Sequence, residues 1–299
     1  MILTVKNLSV HFFLEDKVIK AVDDVSIEVG EGEIVAIVGE SGSGKSVTAL
    51  SIINLIDPPG RIITGEVLWQ GRINILKLSE DELRKIRGKE IGVIFQDVTN
   101  SLNPVLTVGK QVREVFETQL GLDRKSAMTK VLELFERIGI KEPEKVYELY
   151  PHQLSGGLRQ RILIAMAFAP RPKLVIADEP TSFVDALTQS QILDLIKSFQ
   201  SEFKTSVLLI THSFGVVSEV ANRVYVMWRG KIVESGTVAE ILSNPKYPYT
   251  RKLIESAKFY QQASYQPGLY PEYIPSEFLE VLYKIQKLPY TFLNFHLSF

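Results

Sequence analysis

The stretch Gly39-Glu-Ser-Gly-Ser-Gly-Lys-Ser46 directly follows the apolar run Ile34–Val38 and has the residue types and spacing of a phosphate-binding loop. Small residues let the backbone turn so that successive N–H groups converge on one anion, and the following helix adds partial positive charge. Lys45 would reach the β- and γ-phosphates of a nucleotide, and the Ser46 hydroxyl would ligate Mg²⁺. A glycine turn without a ligand is the alternative. The predicted nucleotide contacts of this region are Gly39, Ser41, Gly42, Ser43, Gly44, Lys45, Ser46 and Val47.

A second candidate site is the apolar run Leu174–Ala177, which ends in the adjacent carboxylates Asp178 and Glu179. In open α/β sheets, nucleotides and their metal ions bind at the carboxyl ends of the strands. Asp178 is therefore predicted to hold Mg²⁺, and Glu179 to orient an attacking water. An ordinary solvated turn beside Pro180 is the alternative, and the phosphate loop upstream argues against it.

The third motif is Leu154-Ser-Gly-Gly-Leu-Arg-Gln-Arg161. Ser155 can cap a helix that starts near Leu158, and Gly156 and Gly157 leave backbone N–H groups bare enough for a phosphate to approach. A plain capped helix needs the serine but not the two glycines and the Arg-Gln-Arg run that follow. We therefore predict that this motif contacts nucleotide.

Short apolar runs alternate with helical patterns along most of the chain, as in strand 174–177, helix 188–200 and strand 207–210. Strands separated by helices indicate a largely parallel sheet covered on both faces. Residues 107–139 break this alternation with helical periodicity and are the best candidate for an inserted helical subdomain. From about Tyr247 prolines and aromatics become frequent, which indicates an appended segment.

The composition restricts the function further. The 299 residues are 45% hydrophobic and carry 34 basic against 35 acidic side chains, so no overall positive charge points to nucleic acid. There are no cysteines, which excludes disulfides and thiolate metal sites, and the four histidines lack metal-binding spacing. The longest wholly apolar run, Ile162–Ala169, is far shorter than a membrane span, and Met1–Lys6 does not resemble a secretory signal. We therefore expect an intracellular protein that contacts membranes only through partner proteins.

Two single residues complete a known order of motifs: Gln96 follows the strand-like run Ile91–Phe95, and His212 follows Val207–Ile210. Phosphate loop, glutamine, Ser-Gly-Gly motif, carboxylate strand and histidine occur in the order found in ABC transporter ATPases, and the chain resembles that family over about residues 1–255. The resemblance implies that Gln96 senses Mg²⁺ and the attacking water and touches membrane subunits. It also implies that His212 contacts the γ-phosphate.

Finer matches are similar to the ATPase subunits of oligopeptide and dipeptide importers. They include Ile94-Phe-Gln-Asp97, Ser101-Leu-Asn-Pro104 and Tyr247-Pro-Tyr-Thr250. That branch often ends in a cysteine cluster that binds iron–sulfur, a feature that this cysteine-free chain cannot share. The identity of the tail therefore stays open.

The resemblance implies an α/β P-loop ATPase with a mostly parallel core sheet, an N-terminal antiparallel β subdomain and an appended C-terminal tail. We place the ATPase domain at residues 1–246, with the helical subdomain inserted at about 97–165, and the C-terminal extension at 247–299. Within the extension, Glu277–Gln286 is predicted to be either one amphipathic helix or a strap packed on the main body.

The adenine base is the remaining part of the predicted nucleotide site. The family stacks an aromatic side chain of an early strand on the base, and Phe12 best fits that place, with Phe13 as its neighbour. Because side chains alternate along a strand, one of the two rings would point inward, and a core position is the alternative for either.

The resemblance finally implies partners. ATP with Mg²⁺ would be sandwiched between this subunit and a second ATPase subunit, commonly a different paralogue, at the cytoplasmic face of the membrane. Two membrane permease subunits and, indirectly, an extracellular solute-binding protein would complete an importer of peptides or other small solutes. The alternatives are a soluble ABC ATPase that remodels ribosomes or DNA, and a regulatory subunit that does not take part in transport.

Overall fold

A four-stranded antiparallel sheet occupies the N-terminal part of the chain. The structure is a computed structural model that describes residues 1–97, 101–182 and 184–263, with side chains as far as residue 257. The strands of this sheet lie in the order β2-β1-β4-β5. Their bounds are β1 Leu3–Phe13, β2 Val18–Val29, β4 Gly60–Trp69 and β5 Ile73–Asn74. Alternate residues of β1, such as Leu3 and Val5, are buried, because one face of the sheet packs on the core.

A six-stranded sheet forms the centre of the fold in the order β10-β9-β3-β8-β7-β6. All neighbouring strands are parallel except β10, which pairs antiparallel with β9 at the edge. The bounds are β3 Ile34–Val38, β6 Ile91–Ile94, β7 Leu174–Asp178, β8 Ser206–Thr211, β9 Arg223–Trp228 and β10 Lys231–Thr237. Strands β3, β7 and β8 are buried throughout, as expected of a parallel sheet covered on both faces.

Ten α-helices surround the sheets in the part of the chain that the structure describes. They are α1 Lys45–Ile52, α2 Glu80–Ile86, α3 Val108–Leu120, α4 Arg124–Arg137, α5 Pro143–Tyr147, α6 Gly156–Phe168, α7 Ala186–Phe203, α8 Phe214–Val220, α9 Val238–Ser243 and α10 Pro248–Ala263. None of these helices has the length and apolar character to cross a membrane.

The helical block predicted at 107–139 consists of α3 and α4. Gly121 ends α3 in the left-handed conformation with a φ of 66°, and the Asp123 carboxylate then caps α4 by accepting hydrogen bonds from the N–H groups of Lys125 and Ser126. Buried side chains of both helices, including Val112 and Phe135, join one apolar cluster with the core beneath β7 and β8. The exact bounds of the helical subdomain stay a prediction.

Helix α10 lies in the region that the sequence indicated as an appended segment. Its Ile254 is buried in a third apolar cluster with Phe214 of α8 and Val224 and Val226 of β9. Residues Met1–Ala257 form one compact unit. The predicted division at 246/247 stays a prediction, and the predicted helix or strap at Glu277–Gln286 lies outside the described residues.

Candidate nucleotide site

The predicted phosphate loop connects the buried strand β3 to helix α1. Gly44 precedes α1 with a φ of 107°, and a Cβ there would lie 2.3 Å from the carbonyl oxygen of Ala21. A Cβ on Gly39 would lie 2.2 Å from the carbonyl oxygen of Met227 in β9. Both positions therefore require glycine, and they hold the loop tightly against the strands below it. The first N–H groups of α1 have no intrahelical partner and are of the kind that binds anions at a helix N-terminus.

Lys45 is the buried cation of this loop. Its ammonium group donates hydrogen bonds to the carbonyl oxygens of Gly39 at 2.8 Å and Glu40 at 2.9 Å. Burial lowers the pKa of Lys45, although the carboxylates of Glu179 and Asp178 pull it upward. The ammonium is thus held by neutral carbonyl groups, which a phosphate oxygen can replace with a stronger, charge-assisted hydrogen bond.

Asp178 ends strand β7 and is only 8% exposed. Burial raises its pKa to about 6, and the neighbouring Ser46 hydroxyl partly offsets the rise. The Oδ1 atom of Asp178 is buried and has no hydrogen-bond partner. An unpartnered carboxylate oxygen beside a hydroxyl suits a hard cation such as Mg²⁺. In the described part of the chain no cluster of three or more His, Cys, Asp or Glu residues could hold a metal.

Glu179 follows Asp178, and one of its carboxylate oxygens accepts three hydrogen bonds. Its Oε2 accepts hydrogen bonds from Ser182 Oγ at 2.6 Å, His212 Nδ1 at 3.2 Å and Gln96 Nε2 at 3.4 Å. The hydrogen bond from His212 is the main cause that lowers the pKa of Glu179, and the same bond raises the pKa of His212. The three candidate catalytic residues therefore meet at one point, although Gln96 and His212 lie 83 and 33 residues from Glu179 in the sequence.

Local backbone geometry brings these groups together. Glu179 has a φ of 46°, in the left-handed region that non-glycine residues rarely adopt, directly after the last residue of β7. His212 lies in the bend between β8 and α8, where Ser213 caps the helix by accepting a hydrogen bond from the N–H of Val216. Both residues thus stand just past the carboxyl ends of adjacent parallel strands.

Two residues at this site were missed by the sequence reasoning. Ser182 contacts Glu179, and the signal for it was a hydroxyl three residues after the carboxylate in the turn Pro180-Thr-Ser182. Tyr249 contacts the phosphate loop: its hydroxyl accepts a hydrogen bond from the N–H of Glu40 at 2.8 Å. No local pattern predicts that contact, because the two residues are 209 positions apart.

The Ser-Gly-Gly motif lies at the N-terminus of α6. Ser155 Oγ accepts a hydrogen bond from the N–H of Leu158 at 3.3 Å, the capping contact that the sequence predicts. A Cβ on Gly156 would meet nothing within 4 Å, whereas one on Gly157 would lie 2.8 Å from Thr188 Cγ2. Within the described residues no hydrogen bond joins this motif to the phosphate loop. The motif and the loop are separate surfaces of the chain.

Phe12 lies half-buried on β1, opposite Ile19 of β2 and Gly60 of β4. A Cβ on Gly60 would lie 2.9 Å from the Phe12 ring, so the absence of a side chain there makes room for the ring. Phe13 is more exposed, and the guanidinium of Arg61 lies over its ring at 5.5 Å. The stacking of adenine on Phe12 stays a prediction.

Together, the buried lysine and the two adjacent carboxylates at the carboxyl end of β7 define a P-loop ATPase. The chain matches the family described as ABC transporter over residues 22–182, and it belongs to that family. The predicted fold class is thereby confirmed.

The relatives narrow the class to one branch. The chain is 48% identical to the oligopeptide transport ATP-binding protein OppD of Bacillus subtilis, over 85% of this chain and 71% of that protein. It is 47% identical to the dipeptide transport ATP-binding protein DppD of Haemophilus influenzae, over 85% and 77%. A dimeric structure of the ATP-binding cassette MJ0796, bound to ADP and phosphate after hydrolysis, superposes with a TM-score of 0.70 at 30% identity. The superposition covers 79% of this chain and 98% of that one.

Proposed function

We propose that this chain is the ATP-hydrolysing subunit of an importer for peptides. The observation that carries the proposal is the meeting of Gln96, Ser182 and His212 on one oxygen of Glu179, next to the buried Asp178 and Lys45. A centre of this composition suits hydrolysis rather than nucleotide storage. The names of the relatives support peptides as the solute, and they do not favour the remodelling or regulatory alternatives.

ATP would bind with its phosphates on the loop from Gly39 to Ser46. Lys45 would donate charge-assisted hydrogen bonds to the β- and γ-phosphate oxygens, with N–H donors that now serve the carbonyl groups of Gly39 and Glu40. Ser46, Asp178 and Gln96 would hold Mg²⁺, which when bound neutralises charge on the phosphate oxygens. The unpartnered Oδ1 of Asp178 supports this assignment.

Glu179 would position the attacking water. Its lowered pKa keeps it ionised at neutral pH, so that it can accept a hydrogen bond from the water as the water approaches the γ-phosphorus. His212, whose pKa is raised, would donate to a γ-phosphate oxygen and stabilise the charge that develops there. Both roles require the present hydrogen bond between them to loosen when ATP enters.

The site would be completed by a second ATPase subunit. Ser155, Gly156 and Gly157 would cover the nucleotide of that partner, and the partner's equivalent motif would cover the nucleotide bound here. The open space in front of Gly156 supports this arrangement, as does the dimeric form in which MJ0796 is described. Loss of the γ-phosphate would then open the dimer.

The remaining partners would be two permease subunits and an extracellular solute-binding protein, which would place this chain at the cytoplasmic face of the membrane. The test is purification of the tagged chain from its native membranes, followed by reconstitution of the complex into vesicles. We expect two polytopic membrane proteins to co-purify, and ATP-dependent uptake of labelled peptides that Glu179→Gln abolishes. Co-purification with ribosomes or DNA instead, without membrane proteins, would contradict the proposal.

A further inference from the structure

The peptide group between Gly39 and Glu40 is held from both sides. On one side, its carbonyl oxygen, on Gly39, accepts a hydrogen bond from the Lys45 ammonium at 2.8 Å. On the other side, its N–H, on Glu40, donates to the hydroxyl of Tyr249 at 2.8 Å. Because the C=O and N–H of a trans peptide point in opposite directions, these two contacts together fix the plane of that peptide.

This peptide is a point where the loop could change shape. It follows Gly39, which has no Cβ to restrict its backbone angles and whose packing on Met227 admits no larger residue. Rotation of the peptide would move the carbonyl into the space that the phosphates are to occupy. The N–H groups farther along the loop would then no longer converge on one point.

Tyr249 is itself firmly placed. Its ring packs on Trp228 at the end of β9, with the ring centroids 5.7 Å apart. Upstream of α10, the Glu234 carboxylate of β10 accepts hydrogen bonds from the N–H groups of Lys246 at 2.7 Å and Tyr247 at 3.0 Å. Burial raises the pKa of Tyr249, so that its hydroxyl stays neutral at physiological pH. The hydroxyl is therefore a fixed acceptor and not a mobile surface group.

We propose that Tyr249 is a positioning residue that keeps the phosphate loop in its binding shape by holding the N–H side of the peptide whose carbonyl side Lys45 holds. When ATP is bound, the three N–H donors of Lys45 must be shared between loop carbonyls and phosphate oxygens, so the hold on the carbonyl side weakens and the Tyr249 hydroxyl carries more of the restraint. The inference rests on the proposed function, since it assumes that the loop binds ATP. It gives helix α10 a role in nucleotide affinity, in a region to which the sequence motifs assigned none.

The test compares Tyr249→Phe with Tyr247→Phe in the full-length protein. Both changes remove one hydroxyl from a ring that packs on Trp228, but only the first removes the contact with Glu40. We expect Tyr249→Phe to raise the KM for ATP and the Kd measured by calorimetry about three- to tenfold, the range for one lost hydrogen bond, with kcat within about twofold. Tyr247→Phe should leave KM, Kd and kcat unchanged.

A purely structural role would lower the melting temperature of the protein without separating KM from kcat. A direct second measurement is hydrogen exchange of the Glu40 amide, which should be protected in the wild type and exchange faster in Tyr249→Phe. Equal ATP affinity in Tyr249→Phe and wild type, or equal losses in both variants, would overturn the inference. If the wild type itself binds no ATP, the proposed function fails instead.

Discussion

The phosphate loop and the Ser-Gly-Gly motif are both candidate surfaces for ATP, but the fold treats them differently. The loop is enclosed at its two ends, where Lys45 is buried and Gly39 and Gly44 lie against backbone of neighbouring strands, whereas Glu40, Ser41 and Gly42 in its middle are exposed. The Ser-Gly-Gly motif is open, since Ser155 and Gly156 are exposed and nothing stands in front of Gly156. The Ser155 hydroxyl caps the helix behind this exposed surface.

This contrast fits the two roles that we propose for these surfaces in a site shared between two subunits. The half proposed to do the chemistry needs fixed dipoles and little water, and its Lys45, Asp178 and Glu179 side chains are largely buried. The half proposed to close over the nucleotide must separate again, and a helix end with exposed N–H groups suits that role. Changes in the enclosed half should therefore alter binding, chemistry or stability of this chain, and changes in the open half should alter turnover alone.

The largest effect is expected from Glu179→Gln. The amide keeps the size of the side chain but cannot hold the water as a carboxylate does, so kcat should fall about 10²- to 10⁴-fold while ATP affinity stays near wild type. Steady-state ATPase assays and calorimetry give the two values. A kcat within a few-fold of wild type would remove Glu179 from the chemistry.

Gly156→Asp should come next. The added carboxylate stands in open space, so folding and ATP binding by this chain should be unchanged. It would repel the γ-phosphate held by the partner and block backbone donors, so turnover of the assembled complex should fall about 10²-fold. The control is Thr129→Asp, which adds the same charge to an exposed position of α4. Normal turnover of Gly156→Asp would break the contrast between the two surfaces.

Lys45→Ala should weaken the binding of ATP. Loss of a charge-assisted hydrogen bond to phosphate predicts an ATP affinity lower by about 10- to 100-fold, measured by calorimetry. Lys173→Ala removes an exposed ammonium that pairs with Glu90 and should leave the affinity unchanged. Equal affinities in the two variants would count against the loop as the phosphate site.

Asp178→Asn should give the smallest effect, on stability. Because the pKa of Asp178 is raised to about 6 in the folded protein, the neutral form is favoured on folding, and stability falls as pH rises from about 4 to 6. In the absence of ligand, the free energy of unfolding of Asp178→Asn should therefore exceed that of the wild type by about 1–2 kcal/mol at pH 7.5. The two proteins should be equally stable near pH 4. Urea titrations at both pH values test this, with the exposed Asp57→Asn as control. A destabilised Asp178→Asn at pH 7.5 would show that the carboxylate is well solvated or well paired.

The sequence predicted those parts of the site that depend on local pattern. Fully apolar runs located β3, β7 and β8, and short motifs marked Lys45 and Asp178, because strand burial and loop geometry are encoded by adjacent residues. Helix α8 was not predicted, since seven residues with a serine cap carry little periodicity. The bounds of α10 were not predicted either, because the prolines and aromatic residues in and around it obscure its helical periodicity.

Contacts between distant segments lay beyond such reasoning. The hydroxyls of Ser182 and Tyr249 were both visible in the sequence, but which acceptor or donor each one meets depends on strand order and helix packing. Family order placed Gln96 and His212 near the carboxylates, and the structure adds that both reach the same oxygen of Glu179. The bounds of the subdomains and the adenine contact of Phe12 stay predictions.

The left-handed backbone of Glu179 has a further consequence for how this sequence can vary. A glutamate at a φ of 46° costs about 1 kcal/mol or more relative to a glycine, which adopts that angle freely. Mutation to glycine would relieve this strain, but it would also remove the hydrogen bonds that Ser182, His212 and Gln96 donate to the carboxylate. Position 179 therefore retains a strained backbone because the site needs a carboxylate at this point.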